Sequence, residues 1–435
     1  MSTSWTERLF KLEEHGTNVR TELIAGLTTF LTMAYIIFVN PAILGDAGMP
    51  KDSVFVATCL IAALGTAVMA FYANYPIALA PGMGLNAYFA YAVVLHMGFT
   101  WQAALGAVFI SGCLFLLVTL TGIRGLIIAG IPQSLRYAIT VGIGLFLALI
   151  ALKSAGIVVG SKATLVTLGD LHQPSVILAV LGFLLMVALD KLRVRGAILI
   201  GIVAVTILSF FFGGNEFRGI FSAPPSIEPT FLQLDIKTAL TKGLLNVVLV
   251  FFLVELFDAT GTLMGVARRA GLLVPGKMDR LNKSLFADSA AIFAGSLLGT
   301  SSTTAYVESA SGVQAGGRTG LTALTVSVLF LAALFIAPLA GAVPAYATAP
   351  ALFFVGCLMM RDLTELEWED STEVIPAAIT ALMMPFTYSI ANGLAFGFIA
   401  YAAIKLLTGR VREVHWMVWL IAGVFLFKFF YIPGG

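Results

Sequence analysis

The chain has 435 residues, 59% of them hydrophobic and only 11% charged, with a formal net charge of +2 and mean hydropathy +0.98. A soluble domain carries about 25% charged residues, so the composition all but excludes a soluble enzyme. The basic residues are scattered through loops, with no basic patch interleaved with aromatics, so no nucleic-acid partner is expected. Cys59, Cys113 and Cys357 lie in separate apolar segments without metal spacing, where they read as small packing residues rather than a disulfide framework. The four histidines are equally scattered, so no metal site is expected. Met1 to Arg20 is charged and lacks an apolar core before a cleavage site. It therefore reads as no signal peptide, and the first apolar run is retained as a helix.

Apolar runs follow one another almost without pause, at the length needed to cross a hydrocarbon core about 30 Å thick. Helices are expected near 22–44, 53–73, 80–95, 101–122, 136–153, 174–190 and 196–213. A polar connection, Gly214 to Lys237, follows, and its Pro224, Pro225 and Pro229 argue against helix. Seven more runs come near 241–267, 284–299, 303–317, 320–341, 346–361, 372–389 and 391–408, the last two also readable as a half-depth hairpin. A further apolar segment, 414–431, closes the chain with its disposition open.

Loop charge sets the orientation. Arg8, Lys11, Arg20, Arg124, Arg136, Lys191, Arg193, Arg195, Arg268, Arg269, Lys277, Arg280, Lys283, Arg318, Arg361, Lys405, Arg410 and Arg412 fall on one face. Lys51, Lys153, Lys162, Arg218, Lys237 and Lys242 fall on the other. By the positive-inside rule the first face, with the N-terminus, is cytoplasmic. An odd number of helices before the polar connection makes the second half enter with opposite orientation, the parity of an inverted repeat.

Two interrupted segments occupy matching places in the halves. One is Ala80-Pro81-Gly82-Met83-Gly84-Leu85-Asn86-Ala87-Tyr88-Phe89. The other runs from Gly299 to Gly312 through Ser301, Ser302, Thr303, Thr304 and Glu308. Broken segments at corresponding positions are the best sequence pointer to a transporter binding site. Asn86 is the strongly polar side chain of the first, and Tyr88 and Phe89 beside it could stack on a flat ligand.

Four acids fall in or beside apolar helices of the second half: Glu255, Asp258, Asp288 and Glu308. Glu255 and Asp258, three apart, share a helix face, whereas Asp288 is expected close to the start of its helix. No Lys or Arg lies in these helix centres. A carboxylate at membrane depth is a functional-site hypothesis by default, and a set of them suggests a proton relay or a cation site. No nucleophile–base or metal-ligand constellation accompanies the acids, which disfavours a membrane-embedded hydrolase.

The chain resembles the AzgA-like purine permeases of the nucleobase:cation symporter-2 (nucleobase–ascorbate transporter) family. The likeness runs over essentially the whole chain and is densest at five motifs. They are Gly26-Leu27-Thr28-Thr29-Phe30-Leu31-Thr32-Met33-Ala34-Tyr35-Ile36, Ala80 to Ala87, Phe257-Asp258-Ala259-Thr260-Gly261-Thr262-Leu263, Gly299 to Thr304, and Gly316 to Ala323. The resemblance implies an all-α polytopic membrane protein of fourteen helices in two inverted repeats of seven. Residues 22–213 would form the first repeat (core 22–122, gate 136–213) and 241–408 the second (core 241–341, gate 346–408). The third helix of each repeat would be broken by a short strand. Residues 1–21 would be a cytoplasmic N-terminus and 214–240 a periplasmic connection, leaving 409–435 as an apolar tail.

It further implies proton-coupled uptake of purine bases across the inner membrane, with the proton as coupling ion and no cofactor. Asp258 and Glu308 would hydrogen-bond the base, and Asn86 matches the family's third-helix asparagine; from the broken segments themselves, Tyr88, Phe89 and Thr304 are expected beside the base. Glu255 and Asp288, with Asp258, would carry or support proton coupling. Thr262 stands where some relatives have a histidine, which leaves the carboxylates as proton carriers. Partners would be a purine base, membrane lipid and, through the gate domains, a second copy. An anion carrier of the same fold is the alternative, and it would predict a cationic side chain near the broken helices.

Overall fold

The computed structural model describes residues 5–123, 127, 130–212, 219–243, 247–269 and 279–431. Among them, seven helices are long and apolar enough to cross a membrane. Three further apolar helices are shorter, at Ala197–Phe212, Ser371–Phe386 and Trp416–Phe430. The loop cations Arg124, Arg218 and Lys277 lie outside the described residues, as do 244–246 at the start of the helix expected over 241–267.

The first expected helix is two helices, Val19–Met33 and Ile36–Asp46, joined by a turn at Ala34 and Tyr35. Local chemistry explains the break. The Thr32 hydroxyl donates back to the carbonyls of Thr28 (3.1 Å) and Thr29 (2.8 Å), a bond that bends helices. Beyond the turn, Pro41 has no N–H to return to the carbonyl of Ile37.

The segment expected as a helix over 80–95 opens as a strand, β1 (Leu79–Pro81), then becomes a short helix, Met83–Ala87, and a π-helical stretch, Tyr88–His96. Strands β2 (Val158–Ser161) and β3 (Leu165–Leu168) form an exposed antiparallel hairpin between two spans. The segment expected over 303–317 opens as β4 (Thr303–Ala305) and continues as the helix Ser309–Gln314. The polar connection carries a helix of its own, Ile236–Lys242, which starts beyond its three prolines and is capped by Asp235. That connection also lies against the bundle. Leu232 and Asp235 donate their backbone N–H groups to the carbonyls of Leu297 and Gln102.

Two sets of helices pack within themselves. In one, Gln133–Ser154 lies against Ala345–Met359 and Ser371–Phe386, and the last lies against Ile390–Leu407. Gly144 and Gly356 let two of these helices meet backbone to backbone: a Cβ at either would stand under 3 Å from the other's carbonyl oxygen. In the other set, Trp101–Leu120 packs on Asp279–Leu298, and Gly320–Ala333 packs on Val19–Met33 and Lys51–Val68. The C-terminal helix Trp416–Tyr431 covers Ile390–Leu407 with Val418, Ile421, Ala422 and Phe425. It leaves Trp416, Leu420, Phe427 and Phe430 exposed.

Two buried charges near helix ends are matched, whereas the Nζ of Lys428, buried in the last turn of the C-terminal helix, meets no hydrogen-bond partner among the described residues. Lys405, 1% exposed, places Nζ 2.8 Å from Glu373 and 2.9 Å from Glu413, and Ser134 and Tyr401 also donate to Glu373. At the start of the helix that carries Glu373, the hydroxyl and amide of Thr372 and then Arg410 hold the Asp370 carboxyl down at about 2. Glu22, wholly buried, accepts the backbone N–H groups of Arg318 (2.8 Å), Thr319 (3.3 Å) and Thr322 (3.1 Å) and the Thr322 hydroxyl (2.6 Å). It thereby caps the helix that begins at Gly320 from a helix nearly three hundred residues earlier. Glu22→Ala strands those donors, and the expected cost is about 2–3 kcal/mol. This reads out as a lower thermal midpoint of the detergent-solubilised protein, with Glu22→Gln falling less because its amide oxygen still accepts.

Candidate functional site

The site is built where β1 and β4 cross. Pro81 offers no N–H and drives Ala80 extended, so the first segment cannot run on as helix there. Thr303 and Thr304 are β-branched and favour a strand in the second. The two pair antiparallel, with Leu79 opposite Ala305, Ala80 opposite Thr304 and Pro81 opposite Thr303. Gly82 N–H donates to the carbonyl of Ser302 (2.9 Å), Tyr306 N–H to that of Ala78 (3.0 Å), and Ala78 N–H to the Ser309 hydroxyl (3.0 Å).

Asp258 and Glu308 reach this crossing from different sides. A Cβ on Gly82 would stand 2.8 Å from the Thr304 methyl and 3.9 Å from Asp258 Oδ2, so glycine permits the close approach of strand, threonine and acid. Glu308 sits at the mouth of the helix Ser309–Gln314 and accepts a 2.5 Å hydrogen bond on Oε1 from the Tyr35 hydroxyl. Tyr306 lies near both carboxyls and donates to the carbonyl of Pro81 at 2.7 Å. The buried hydroxyls of Ser301, Ser302 and Thr303 meet no hydrogen-bond partner among the described residues, so polar groups remain free at the break. Val307, 54% exposed, is where the stretch opens outward.

The other expected site residues are placed differently. Asn86 gives its side-chain N–H to Asn40 Oδ1 (2.6 Å), and Asn40 gives its own to Thr58 (2.7 Å) and Thr300 (2.9 Å). Its amide therefore serves a buried network, while its oxygen has no partner among the described residues. Tyr88 and Phe89 are fully buried, and Tyr88 meets Phe251 edge-on at 5.0 Å. Glu255 shares a helix with Asp258 but accepts from Ser111 (2.8 Å), so it serves a different neighbour. Asp288 is not close to its helix start, because that helix begins at Asp279 and carries Asp288, fully buried, in its middle.

Tyr35, Asn40 and Tyr306 were not singled out from the sequence. Asn40, a strongly polar side chain inside an apolar run, carried a readable signal. The two tyrosines did not, because only the fold brings their hydroxyls to acceptors.

Two surface cavities lie away from the carboxylates. One, of about 630 Å³, lies at the helix ends among Asp46, Tyr91, His96, Lys153 and Tyr388. The other, of about 670 Å³, is lined by Glu367 to Thr372, Thr408 and Arg410.

Comparison with known proteins gives a consistent picture. The permease family Xan_ur_permease matches residues 20–396. The chain is 50% identical to the adenine permease AdeP of Escherichia coli (strain K12), covering 98% of this chain and 96% of that protein. It is 47% identical to the guanine/hypoxanthine permease PbuO of Bacillus subtilis (strain 168), covering 97% of this chain and all of PbuO. The transmembrane domain of the cyanobacterial bicarbonate transporter BicA superposes with a TM-score of 0.62 at 17% identity, over 87% of this chain and 97% of that one. That likeness is one of fold.

The asparagine network makes a direct prediction. Asn40→Ala leaves the Asn86 amide and two threonine hydroxyls short of a partner, so the thermal midpoint should fall by the equivalent of about 1–3 kcal/mol. Asn86→Ala in the same background should add little, because both residues serve one network. Additive losses in the double variant would show instead that the two act separately.

Proposed function

Because this chain belongs to the permease family Xan_ur_permease, within the nucleobase:cation symporter-2 group, we propose that it takes up purine nucleobases by proton symport. It is a permease rather than an enzyme, a multi-pass protein of the inner membrane. Purines are the proposed cargo because relatives of near-complete coverage are an adenine permease and a guanine/hypoxanthine permease.

The observation that carries the site is the convergence of Asp258 and Glu308 on the crossing of two broken segments, with tyrosines rather than cations around them. A purine presents ring and exocyclic N–H groups at its edge, and a carboxylate accepts them in charge-assisted hydrogen bonds. Glu308 and Asp258 take those bonds, and Thr304 and the free hydroxyls of Ser301 to Thr303 meet the ring nitrogens or a carbonyl. Acids rather than cations at the crossing favour this cargo over the anions carried by transporters of similar fold.

The fold is read as fourteen helices in two inverted repeats of seven. The helices of the first half up to Leu120, with their counterparts in the second, form a core that carries the site. The helices that pack around Gln133–Ser154 form a gate against which the core rocks. The N-terminus is cytoplasmic. Protons enter the cycle through the carboxyl groups, Asp258 with Glu255 and Asp288 behind it, since Thr262 leaves no histidine route at that position. Asn86 acts on the base through its free side-chain oxygen, its side-chain amide being held by Asn40 and its backbone N–H by the Gly82 carbonyl.

Glu308→Gln and Asp258→Asn should each lower saturable uptake of labelled purine by roughly tenfold to a hundredfold, the worth of a charge-assisted hydrogen bond. Membrane insertion should be unchanged. Normal uptake by either variant removes that residue from the site. In proteoliposomes, collapse of the pH gradient should stop accumulation, whereas uptake that follows a sodium gradient would overturn proton coupling.

A further inference from the structure

We propose that Tyr35 sets the selectivity of the site by positioning Glu308, an inference that rests on Glu308 being a ligand of the base. The Tyr35 hydroxyl donates to Glu308 Oε1 at 2.5 Å, and the tyrosine is wholly buried. A phenol has one proton to give. Spending it on Oε1 fixes the orientation of the carboxylate, and the backbone N–H of Glu308 bonds to the same group. The lone pairs left over then point in fixed directions. A carboxylate without the Tyr35 bond can rotate and accept from several directions, whereas the pinned one accepts a ligand along the line that its remaining lone pairs define. The arrangement therefore selects ligands that present an N–H along that line and rejects those that carry a methyl group or a lone pair there.

The geometry also explains the interrupted first helix. Tyr35 lies in the turn between Val19–Met33 and Ile36–Asp46, beside the Thr32 back-bond that bends the chain. An unbroken helix would keep residue 35 in register with its neighbours, and the turn sets its ring independently of the helix before it. The brace that holds the crossing together is a different one, the bond from Tyr306 to the carbonyl of Pro81. Tyr35 touches a side chain that can move, and Tyr306 touches backbone. Loss of the Tyr35 hydroxyl is thus expected to loosen the ligand while the strands stay paired.

The test compares wild type, Tyr35→Phe, Glu308→Gln and the double variant as full-length purified protein. Calorimetric titration uses adenine, guanine, hypoxanthine and their ring-N-methylated analogues. Tyr35→Phe should keep the thermal midpoint within a few degrees and weaken the preferred base roughly tenfold. It should also shrink by a similar factor the discrimination against the methylated isomer that wild type rejects most. In proteoliposomes KM should rise with the maximal rate retained. The double variant should bind no more weakly than Glu308→Gln, since Tyr35 acts through Glu308. Unchanged affinity and selectivity in Tyr35→Phe, or fully additive losses in the double variant, overturn the inference while Glu308 keeps its role. Unchanged binding in Glu308→Gln overturns the reading of Glu308 as a ligand and the inference with it.

Discussion

The constraint on which this structure depends is that backbone inside a bilayer has no water to bond to. Each interrupted segment exposes N–H and C=O groups that a continuous helix would have used, at a cost of several kcal/mol per unsatisfied group. The chain meets that cost by pairing the two interruptions with each other. β1 and β4 contribute three residues each and come from opposite halves. Each break supplies hydrogen-bond partners to the other. The site is thus a consequence of the pairing: two helices must stop where the strands meet, and polar side chains must line the place where they stop.

Polar groups in the interior divide into those that hold the frame and those left to work. Asn40, Asn86, Thr58 and Thr300 bond one another across three helices and the second break, with the Asn86 oxygen left over. Glu255 is held by Ser111, and Glu22 caps a helix end. Against that background the hydroxyls of Ser301, Ser302 and Thr303 and the side-chain oxygen of Asn86 stand out as groups with no hydrogen-bond partner among the described residues. The distinction matters because a buried polar group with all its bonds made is stabilising, whereas one with bonds to spare is stable only when something else completes it.

The second set of helices is organised by different means. Gly144 and Gly356 bring two backbones together, and Lys405 with Glu373 and Glu413 ties the helix ends. Close contact between small residues suits a medium in which apolar side chains gain little by associating, because lipid is as apolar as leucine. A buried lysine is tolerated there because two carboxylates, one of them also accepting from Ser134 and Tyr401, complete its environment.

What could be read from the sequence is what depends on composition and local pattern. Runs of apolar residues mark helices because hydrophobic length must match the bilayer. Pro81 and the Ser301–Thr304 run mark breaks because their backbone preferences are local. Asp258 and Glu308 are marked because a carboxylate in such surroundings is costly wherever its partners lie. The sequence pattern also marked Asn86, but not the direction in which its amide points. Only the tertiary structure decided that the breaks pair, that Asn86 serves Asn40, that Asp288 stands mid-helix, and that the first helix bends at Tyr35. These depend on contacts between residues as far apart as Tyr35 and Glu308, and no local preference encodes which distant acceptor a hydroxyl will find.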